Sequence, residues 1–298
     1  MIYAYDLLTE YLHNPMGIDI NRPVVSWKVN DAIRQTAFEL SYSVNGCEPV
    51  LTKQMTEKMV CRIDEEFSSM DIITWQVRLA DENGNWGQWS EEARFEYGLL
   101  RHSDWVAKWI MGNYKHDPKG TVRYPADCFR TTFEVEGKVE KARLYITACG
   151  MYETKINGKR VGDFVLAPGS TDFRKRVHYQ TYDVTDIFIQ SSKEIDWTIE
   201  LADGYYSSNC GVFEEKKPFG FEPKVLAQLE ILFDDGNRKT IATDASFSWS
   251  NDGPVTYADM KQGEIVDFNL APSYRGSARE TRGQGKVCAS NNYLIKEQ

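Results

Sequence analysis

Short segments in which apolar and polar residues alternate recur along the chain, and this period of two constrains its fold most strongly. The clearest is TWQVRLADENGNWGQWSEEARFEYG, residues 74–98, in which two alternating runs flank Asn83 and Gly84. Such a pattern predicts two strands joined by a turn, because successive side chains of a strand point to opposite faces and Asn-Gly favours hairpin turns. Since no stretch keeps a helical period beyond two turns, we predict an all-β protein.

The strand-like runs form two groups, which indicates two domains in a chain of 298 residues. The first group lies at 24–29, 37–44, 74–80 and 93–98 and predicts a small β-sandwich over residues 1–100. A polar stretch with Pro and Gly predicts a linker over 101–124. The second group predicts a jelly roll or similar two-sheet sandwich over 125–268, with strands at 128–135, 142–150, 152–157, 159–166, 177–184, 194–201, 224–233 and 247–250. Residues 269–298 are predicted to be the truncated start of a further domain.

The charge and composition narrow the classes of partner. A net charge of −9 disfavours binding to nucleic acid and to anionic membranes, because both are also negatively charged. The six cysteines form no CxxC pair, so reduced thiols are expected. The N-terminus lacks the pattern of a secretion signal and starts with Met1, and no run of about 18 apolar residues predicts a membrane span. We therefore predict a cytoplasmic protein without a membrane or nucleic-acid partner.

A dense polar stretch, INGKRVGDFVLAPGSTD at 156–172, has two interpretations. It could form the floor of a ligand pocket, or it could contain only the turns of a β-protein. Asn157-Gly158 is the strongest short hairpin signal, because both central residues of a type I′ turn need a positive φ. Turn chemistry therefore favours a structural role for Asn157.

The sequence predicts no catalytic residue in this chain. The spacing of Glu153, Asp163, Asp172 and Asp183 shows no carboxylate pair suited to glycoside hydrolysis, and the four histidines lie far apart. Residues 81–92 fit several acidic positions of a calcium-binding EF-hand loop, but Trp86 occupies the position that requires Gly. A hairpin is the preferred interpretation there, with a calcium loop as the alternative.

The longest loop of the second domain, the aromatic loop at residues 200–223, is the candidate binding site. Aromatic rings can stack on the C–H face of a sugar while carboxylates and amides bind its hydroxyl groups. The alternative is that these rings pack onto the sandwich. The predicted carbohydrate-binding residues are Asp203, Tyr205, Tyr206, Asn209 and Phe213.

Several motifs in the same order resemble the N-terminal, non-catalytic region of bacterial α-L-rhamnosidases of glycoside hydrolase family 78. They are LLTEYLHNPMGID, RPVVSWKV, TWQVRLADENGNWGQWSEEARFEYGLL, DWVAKWI, GMYETKINGKRVGDFVLAPGSTDFRKRVHYQTYDVTD, LADGYYSSNCG and GEIVDF. Two positions depart from the family pattern. Gly204-Tyr205-Tyr206 stands where GWY is usual, and Ser170 stands where Trp is usual.

The resemblance implies an Fn3-like (immunoglobulin-like) β-sandwich followed by a jelly roll related to carbohydrate-binding modules. In such enzymes a later (α/α)6 barrel hydrolyses terminal α-L-rhamnosyl residues with inversion, so this chain would be an accessory region that is inactive alone. Its partners would be that catalytic domain and a rhamnose-containing glycan or small rhamnoside. No cofactor is required, although some related jelly rolls bind calcium with L-rhamnose. A free-standing, lectin-like carbohydrate-binding protein and a purely structural domain-interaction module are the alternatives.

Overall fold

The computed structural model describes residues 1–117, 122, 124–189, 193–210 and 215–290. The chain divides into two compact units, residues 1–104 and 105–298. Both units are built from β-sheets, and the described helices are single short turns. The structure confirms the predicted all-β class.

The first unit, which is described in full, contains eight strands and a short 3-10 helix at His102–Asp104. The strands are β1 (Tyr3–Thr9), β2 (Met16–Ile18), β3 (Val24–Asn30), β4 (Ala37–Val44), β5 (Val50–Gln54), β6 (Val60–Arg62), β7 (Ile72–Ala80) and β8 (Ala93–Tyr97). They form a three-stranded sheet in the order β1-β3-β6 and a five-stranded sheet in the order β2-β8-β7-β4-β5.

Alternation in β7 explains the core of this unit. Ile73, Trp75, Val77 and Leu79 are all buried, while the residues between them are partly exposed. The buried side chains pack against residues of the other sheet, Val25 and Trp27 among them, in one hydrophobic cluster. Two sheets packed on a shared core make an immunoglobulin-like β-sandwich, as predicted.

The turn after β7 is wider than the predicted two-residue hairpin. Asp81 Oδ1 accepts hydrogen bonds from the backbone N–H groups of Asn83 at 2.9 Å and Asn85 at 2.8 Å. An isolated bridge pairs Ala80 with Trp86 beyond this turn. The Asp81 side chain therefore closes the backbone turn, which gives the acidic pattern of residues 81–92 a structural explanation.

Among its described residues, the second unit contains two short helices, α1 (Thr185–Ile189) and α2 (Gly204–Ser207), and many strands. The strands are β9 (Trp109–Met111), β10 (Asp127–Glu134), β11 (Val139–Cys149), β12 (Met151–Ile156), β13 (Lys159–Arg160), β14 (Arg176–Asp183), β15 (Glu194–Ala202), β16 (Asn209–Cys210), β17 (Glu215–Lys216), β18 (Lys224–Phe233), β19 (Arg238–Ala242), β20 (Ser248–Ser250), β21 (Val255–Asp259), β22 (Gly263–Val266), β23 (Gly276–Ser277), β24 (Arg279–Thr281) and β25 (Lys286–Ala289).

Two sheets of this unit enclose its main core. One has the order β13-β12-β15-β10-β20-β23, and the other has the order β24-β9-β18-β11-β14-β25 with β19 beside β18. Trp197 of the first sheet and Leu144 and Leu229 of the second are fully buried in one hydrophobic cluster. This two-sheet arrangement is the predicted jelly-roll sandwich, and it leaves the outer face of the six-stranded sheet available for other contacts.

Segments outside the predicted jelly-roll bounds also pair with its sheets. β9, within the predicted linker 101–124, pairs with β18 and β24, and β25, within 269–298, pairs with β14. These pairings place both segments in the second unit. The domain bounds 1–100, 101–124, 125–268 and 269–298 remain predictions.

The predicted strand over 159–166 is wrong beyond Arg160, where β13 ends. Gly162 has φ of +77°, and a Cβ atom there would overlap the ring of Tyr182. A strand cannot continue through this backbone conformation, so the chain leaves the sheet.

The Asn157-Gly158 turn between β12 and β13 confirms the structural interpretation of INGKRVGDF. Both residues have positive φ, +50° and +74°. Asn157 Oδ1 accepts a hydrogen bond from the Asp196 N–H at 2.8 Å, and the Asn157 N–H donates to the Asp196 carbonyl oxygen at 2.7 Å. The side chain of Asn157 therefore fixes the end of β12 to β15.

We expect Asn157→Ala to lower the free energy of unfolding by about 2 kcal/mol. The left-handed conformation costs Ala about 1 kcal/mol more than Asn, whose short polar side chain tolerates it, and the lost hydrogen bond costs about 1 kcal/mol more. Asn157→Gly loses only the hydrogen bond and should cost about half as much. Urea unfolding followed by tryptophan fluorescence measures both; equal losses would contradict the contribution assigned to backbone strain.

Candidate functional site

The outer face of the six-stranded sheet carries the strongest candidate site. In β15 the side chains of Thr198 and Glu200 alternate with buried core residues and therefore point away from the core. Glu153 and Lys155 do the same in the neighbouring β12. The pairing register places Glu153 opposite Glu200 and Lys155 opposite Thr198. Four polar side chains thus form one patch across two adjacent strands.

A cavity of about 200 Å³ lies above this patch and is referred to as the sheet cavity. Its floor consists of the four polar side chains and the buried Cys128 of β10. Residues 252–274, the roof segment, contribute Pro254, Pro272 and Tyr274 to the lining. The cavity therefore combines a polar floor with one aromatic and two proline side chains.

The conformation of the roof segment near Tyr274 is held by polar contacts. Asp252 Oδ1 accepts a hydrogen bond from the Ser273 N–H at 2.9 Å. Tyr274 itself has φ of +50°, an uncommon conformation for a bulky residue. The Arg130 guanidinium lies 5.6 Å from the centre of the Tyr274 ring and is also hydrogen-bonded to Asp196 at 2.7 Å. The ring is thereby fixed at the edge of the cavity.

Burial and like charge act together on Glu200. Burial is the largest factor that raises its pKa, and the facing carboxylate of Glu153 raises it further, while Lys155 lowers it. Burial also raises the pKa of Tyr274 to about 12. Glu200 is therefore a half-buried carboxyl group whose negative charge is poorly compensated.

The structure places the predicted tyrosines of the aromatic loop differently from each other. Tyr206 is only 2% exposed, and its hydroxyl donates to Gln284 Oε1 at 2.8 Å. The ring of Phe173 packs edge-on against it at 5.5 Å. Tyr205 is partly buried against the same hydrophobic cluster. Tyr206 therefore contributes to packing, and Tyr205 retains some accessible surface.

The other predicted site residues lie along the same loop. Asp203 precedes α2, and its carbonyl oxygen accepts the Ser207 N–H at 3.0 Å. The N–H of Asn209 donates to Asp259 Oδ2 at 3.0 Å, and Asn209 pairs with Lys216 across the β16–β17 ladder. Phe213 lies outside the described residues. The structure thus brings Asp203 together with Tyr205 and Tyr206 of α2, with Asn209 just beyond the helix.

A second group of titratable residues that sequence reasoning missed surrounds Asp203. A very small cavity is lined by Asp203, Asp127 and Tyr114, among others. Burial raises the pKa of Asp203 to about 6 and that of Asp127 to about 7. Asp127 accepts a hydrogen bond from Trp249 Nε1 at 2.8 Å. The burial of Asp127 and the small volume of the cavity indicate a structural role for Asp127.

His116 lies near this group and carries no charge at neutral pH. Its ring packs against Tyr114 at 4.3 Å, and burial lowers its pKa to about 4. Neither ring nitrogen has a hydrogen-bond partner among the described residues.

Among all the residues that the structure describes, no three His, Cys, Asp or Glu side chains are grouped so as to hold a metal ion. None of the described helices has the length and apolar character needed to span a membrane.

The sequence did contain part of the signal for the sheet cavity. Alternation in YETKIN and EIDWTIEL assigns Glu153, Lys155, Thr198 and Glu200 to one side of their strands. The pairing register and the return of residues 252–274 over the sheet depend on long-range contacts, which a local pattern does not specify. The local pattern therefore does not identify the four residues as one site.

Comparisons with known proteins match both units of the fold. Residues 4–101 match a family described as the Rha78A-like, N-terminal immunoglobulin domain. Residues 137–284 match the family described as the α-L-rhamnosidase N-terminal domain. The chain therefore consists of an immunoglobulin-like domain followed by a domain of the rhamnosidase N-terminal type.

Individual relatives are similar along most of the chain. An α-L-rhamnosidase of Formosa agariphila is 32% identical over 280 residues, which cover 88% of this chain and 30% of that protein. The structure of α-L-rhamnosidase from Dictyoglumus thermophilum is 28% identical with a TM-score of 0.83, and it covers 97% of this chain and 35% of that chain. The native enzyme from Aspergillus terreus is 26% identical with a TM-score of 0.88 and the same two coverages, 97% and 35%.

The chain belongs to the α-L-rhamnosidase N-terminal family, and it corresponds to the accessory N-terminal region of those proteins. This confirms the resemblance that the sequence motifs indicated. The chain spans about a third of the length of the relatives it matches.

We expect Asp127→Asn to change how stability depends on pH. The folded-state pKa of Asp127 is raised from 3.8 to about 7, so between these values the folded protein holds a proton that the unfolded chain releases. The stability of the parent relative to the variant should therefore fall as pH rises from about 4 to about 7. The Asn side chain stays neutral and can still accept the Trp249 hydrogen bond.

Urea unfolding of parent and variant at a series of pH values measures this difference. Asp252→Asn is the matched control, because hydrogen bonds from Ser273 lower the pKa of Asp252 to about 2 and it stays ionised over the same range. Its difference from the parent should be constant above about pH 5, where this carboxyl group is ionised in both the folded and the unfolded chain. A constant difference for Asp127→Asn as well would contradict the assigned protonation of Asp127.

Proposed function

We propose that this chain supports the catalytic domain of an α-L-rhamnosidase and has no hydrolytic activity of its own. The full protein would hydrolyse terminal α-L-rhamnosyl residues of a glycan or small rhamnoside with inversion, through an (α/α)6 barrel outside this chain. The supporting observation from the comparisons is that the chain spans about a third of relatives named as α-L-rhamnosidases. Cytoplasmic location and calcium binding remain predictions.

The proposal of domain support is based on an exposed apolar segment. Ile265, Val266, Phe268 and Leu270 are 57%, 36%, 91% and 41% exposed. They follow one another at the end of β22 and beyond, in the roof segment. Contiguous exposed apolar side chains mark interaction surfaces more often than single ones do. We assign this surface to contact with the catalytic domain.

Carbohydrate contact through the aromatic loop is the second candidate function. Its residues would be Asp203, Tyr205, Tyr206, Asn209 and Phe213. The observation that favours it is the partly exposed ring of Tyr205 on α2, two residues after the carboxyl group of Asp203. In this arrangement Tyr205 would contact the sugar, while Asp203 and Tyr206 would hold the two sides of α2 in place.

Phe268→Ser in the full-length protein tests the support role. Phe268 is 91% exposed, so the substitution should change the free energy of unfolding of the isolated chain by no more than about 0.5 kcal/mol. The melting temperature of the isolated chain should therefore stay nearly the same. The full-length protein should melt at a lower temperature and lose turnover of p-nitrophenyl α-L-rhamnoside on mild heating. Ile33→Ser, at an 88% exposed position of the first unit, is the control. The support role is rejected if both variants behave alike in the full-length protein.

Calorimetry with L-rhamnose, with and without calcium, tests the second candidate. Tyr205→Ala should weaken binding about fivefold or more, since an aromatic contact contributes about 1 kcal/mol beyond its buried area. Tyr205→Phe keeps the ring and should bind like the parent. Absence of heat at millimolar L-rhamnose would leave the support role as the function of the chain.

A further inference from the structure

We propose that the sheet cavity is a binding site for a single neutral sugar ring. The site uses Glu153, Glu200, Lys155 and Tyr274 and none of the residues predicted in the aromatic loop. It goes beyond the support role, which depends on exposed side chains of the roof segment that do not line the cavity.

The floor of the cavity is arranged at a cost that folding does not explain. Glu153 and Glu200 are directly opposite each other on antiparallel strands. Like charges in such a pair are destabilising. The cation closest to Glu153 is Arg160, at 3.8 Å from Oε1. Glu200 and Lys155 make no side-chain hydrogen bond or ion pair with any described residue. Their acceptors and donors remain available to a ligand.

The roof of the cavity presents an aromatic ring in a strained conformation. Tyr274 has φ of +50°, and such outliers are concentrated at functional sites. Its ring and the side chains of Pro254 and Pro272 face the polar floor across the cavity. An apolar wall opposite hydroxyl-binding groups matches a sugar ring, which has C–H groups on its face and hydroxyl groups at its edge.

The size and charge of the site limit its ligand. The cavity of about 200 Å³ is smaller than the roughly 300–1,000 Å³ of sites for drug-sized ligands, so it admits one ring. Two carboxylates and one ammonium group disfavour an anionic ligand. A bound metal ion is disfavoured too, because Lys155 lies beside the carboxylates and no group of three metal-binding side chains occurs among the described residues. A neutral polyhydroxyl ring satisfies both the acceptors and the donor.

Binding of methyl α-L-rhamnoside and methyl α-D-glucoside to the 298-residue chain tests the proposal by saturation-transfer NMR and calorimetry. Thr198→Tyr should abolish binding, because the larger side chain on the cavity floor fills the space. Thr132→Tyr is the matched control: Thr132 lies on the same outward face of the adjacent strand β10, is exposed and does not line the cavity. It should bind like the parent.

Substitutions of the ligand-facing groups refine the test. Tyr274→Ala should weaken binding about tenfold and Tyr274→Phe should leave it nearly unchanged, since the ring and not the hydroxyl forms the apolar wall. Glu200→Ala should also weaken it, by about tenfold for one charged hydrogen bond. Circular dichroism of each variant reports whether the sandwich is intact.

The outcomes separate this site from the other proposals. Binding that Thr198→Tyr abolishes and Tyr205→Ala preserves supports the sheet cavity. Binding that survives Thr198→Tyr but is lost in Tyr205→Ala overturns it in favour of the aromatic loop. No binding of either sugar at millimolar concentration overturns it as well, while leaving the support role intact, because that role is measured through Phe268 in the full-length protein.

Discussion

The register of β15 between β10 and β12 is the constraint on which the second unit depends. It places Trp197 in the core, where its Nε1 donates to Thr154 Oγ1 at 2.9 Å and its ring packs edge-on against Phe247 at 5.5 Å. A slip of one residue would expose Trp197 and bury Glu200. Each large apolar side chain moved out of the core would cost about 1.5–3 kcal/mol, so the register is strongly specified.

The same register also determines the outer face. Cys128 and Glu153 both lie opposite Glu200, one on each neighbouring strand. The buried side chains of β15 hold the strand in place. Its outward side chains are therefore not needed for the core and can serve ligand contacts. The hydrogen bonds between Asn157 and Asp196 hold the far end of β12 against β15. A turn that is purely structural thereby helps to position the polar floor of the sheet cavity.

Local sequence patterns predicted the features that depend on neighbouring residues. Alternation identified both sandwiches, and Asn157-Gly158 identified its turn, because period and positive φ are encoded within a few positions. The orientation of Tyr206 was not predictable in this way, since it is set by Phe173 and Gln284, which are remote in sequence. The sheet cavity was missed for the same reason: its floor requires a register, and its roof requires a segment some fifty residues after β15.

The roof segment connects the two proposed roles physically. Its β21–β22 hairpin is closed by the Asp267 N–H, which donates to the Pro254 carbonyl oxygen at 2.9 Å. Pro254 lines the sheet cavity, whereas Phe268 next to this hydrogen bond is 91% exposed. A domain that covers Phe268 therefore contacts the segment that encloses the cavity. If such contact stabilises the conformation that holds Tyr274 over the floor, linkage requires that a ligand in the cavity strengthen the domain contact by the same factor.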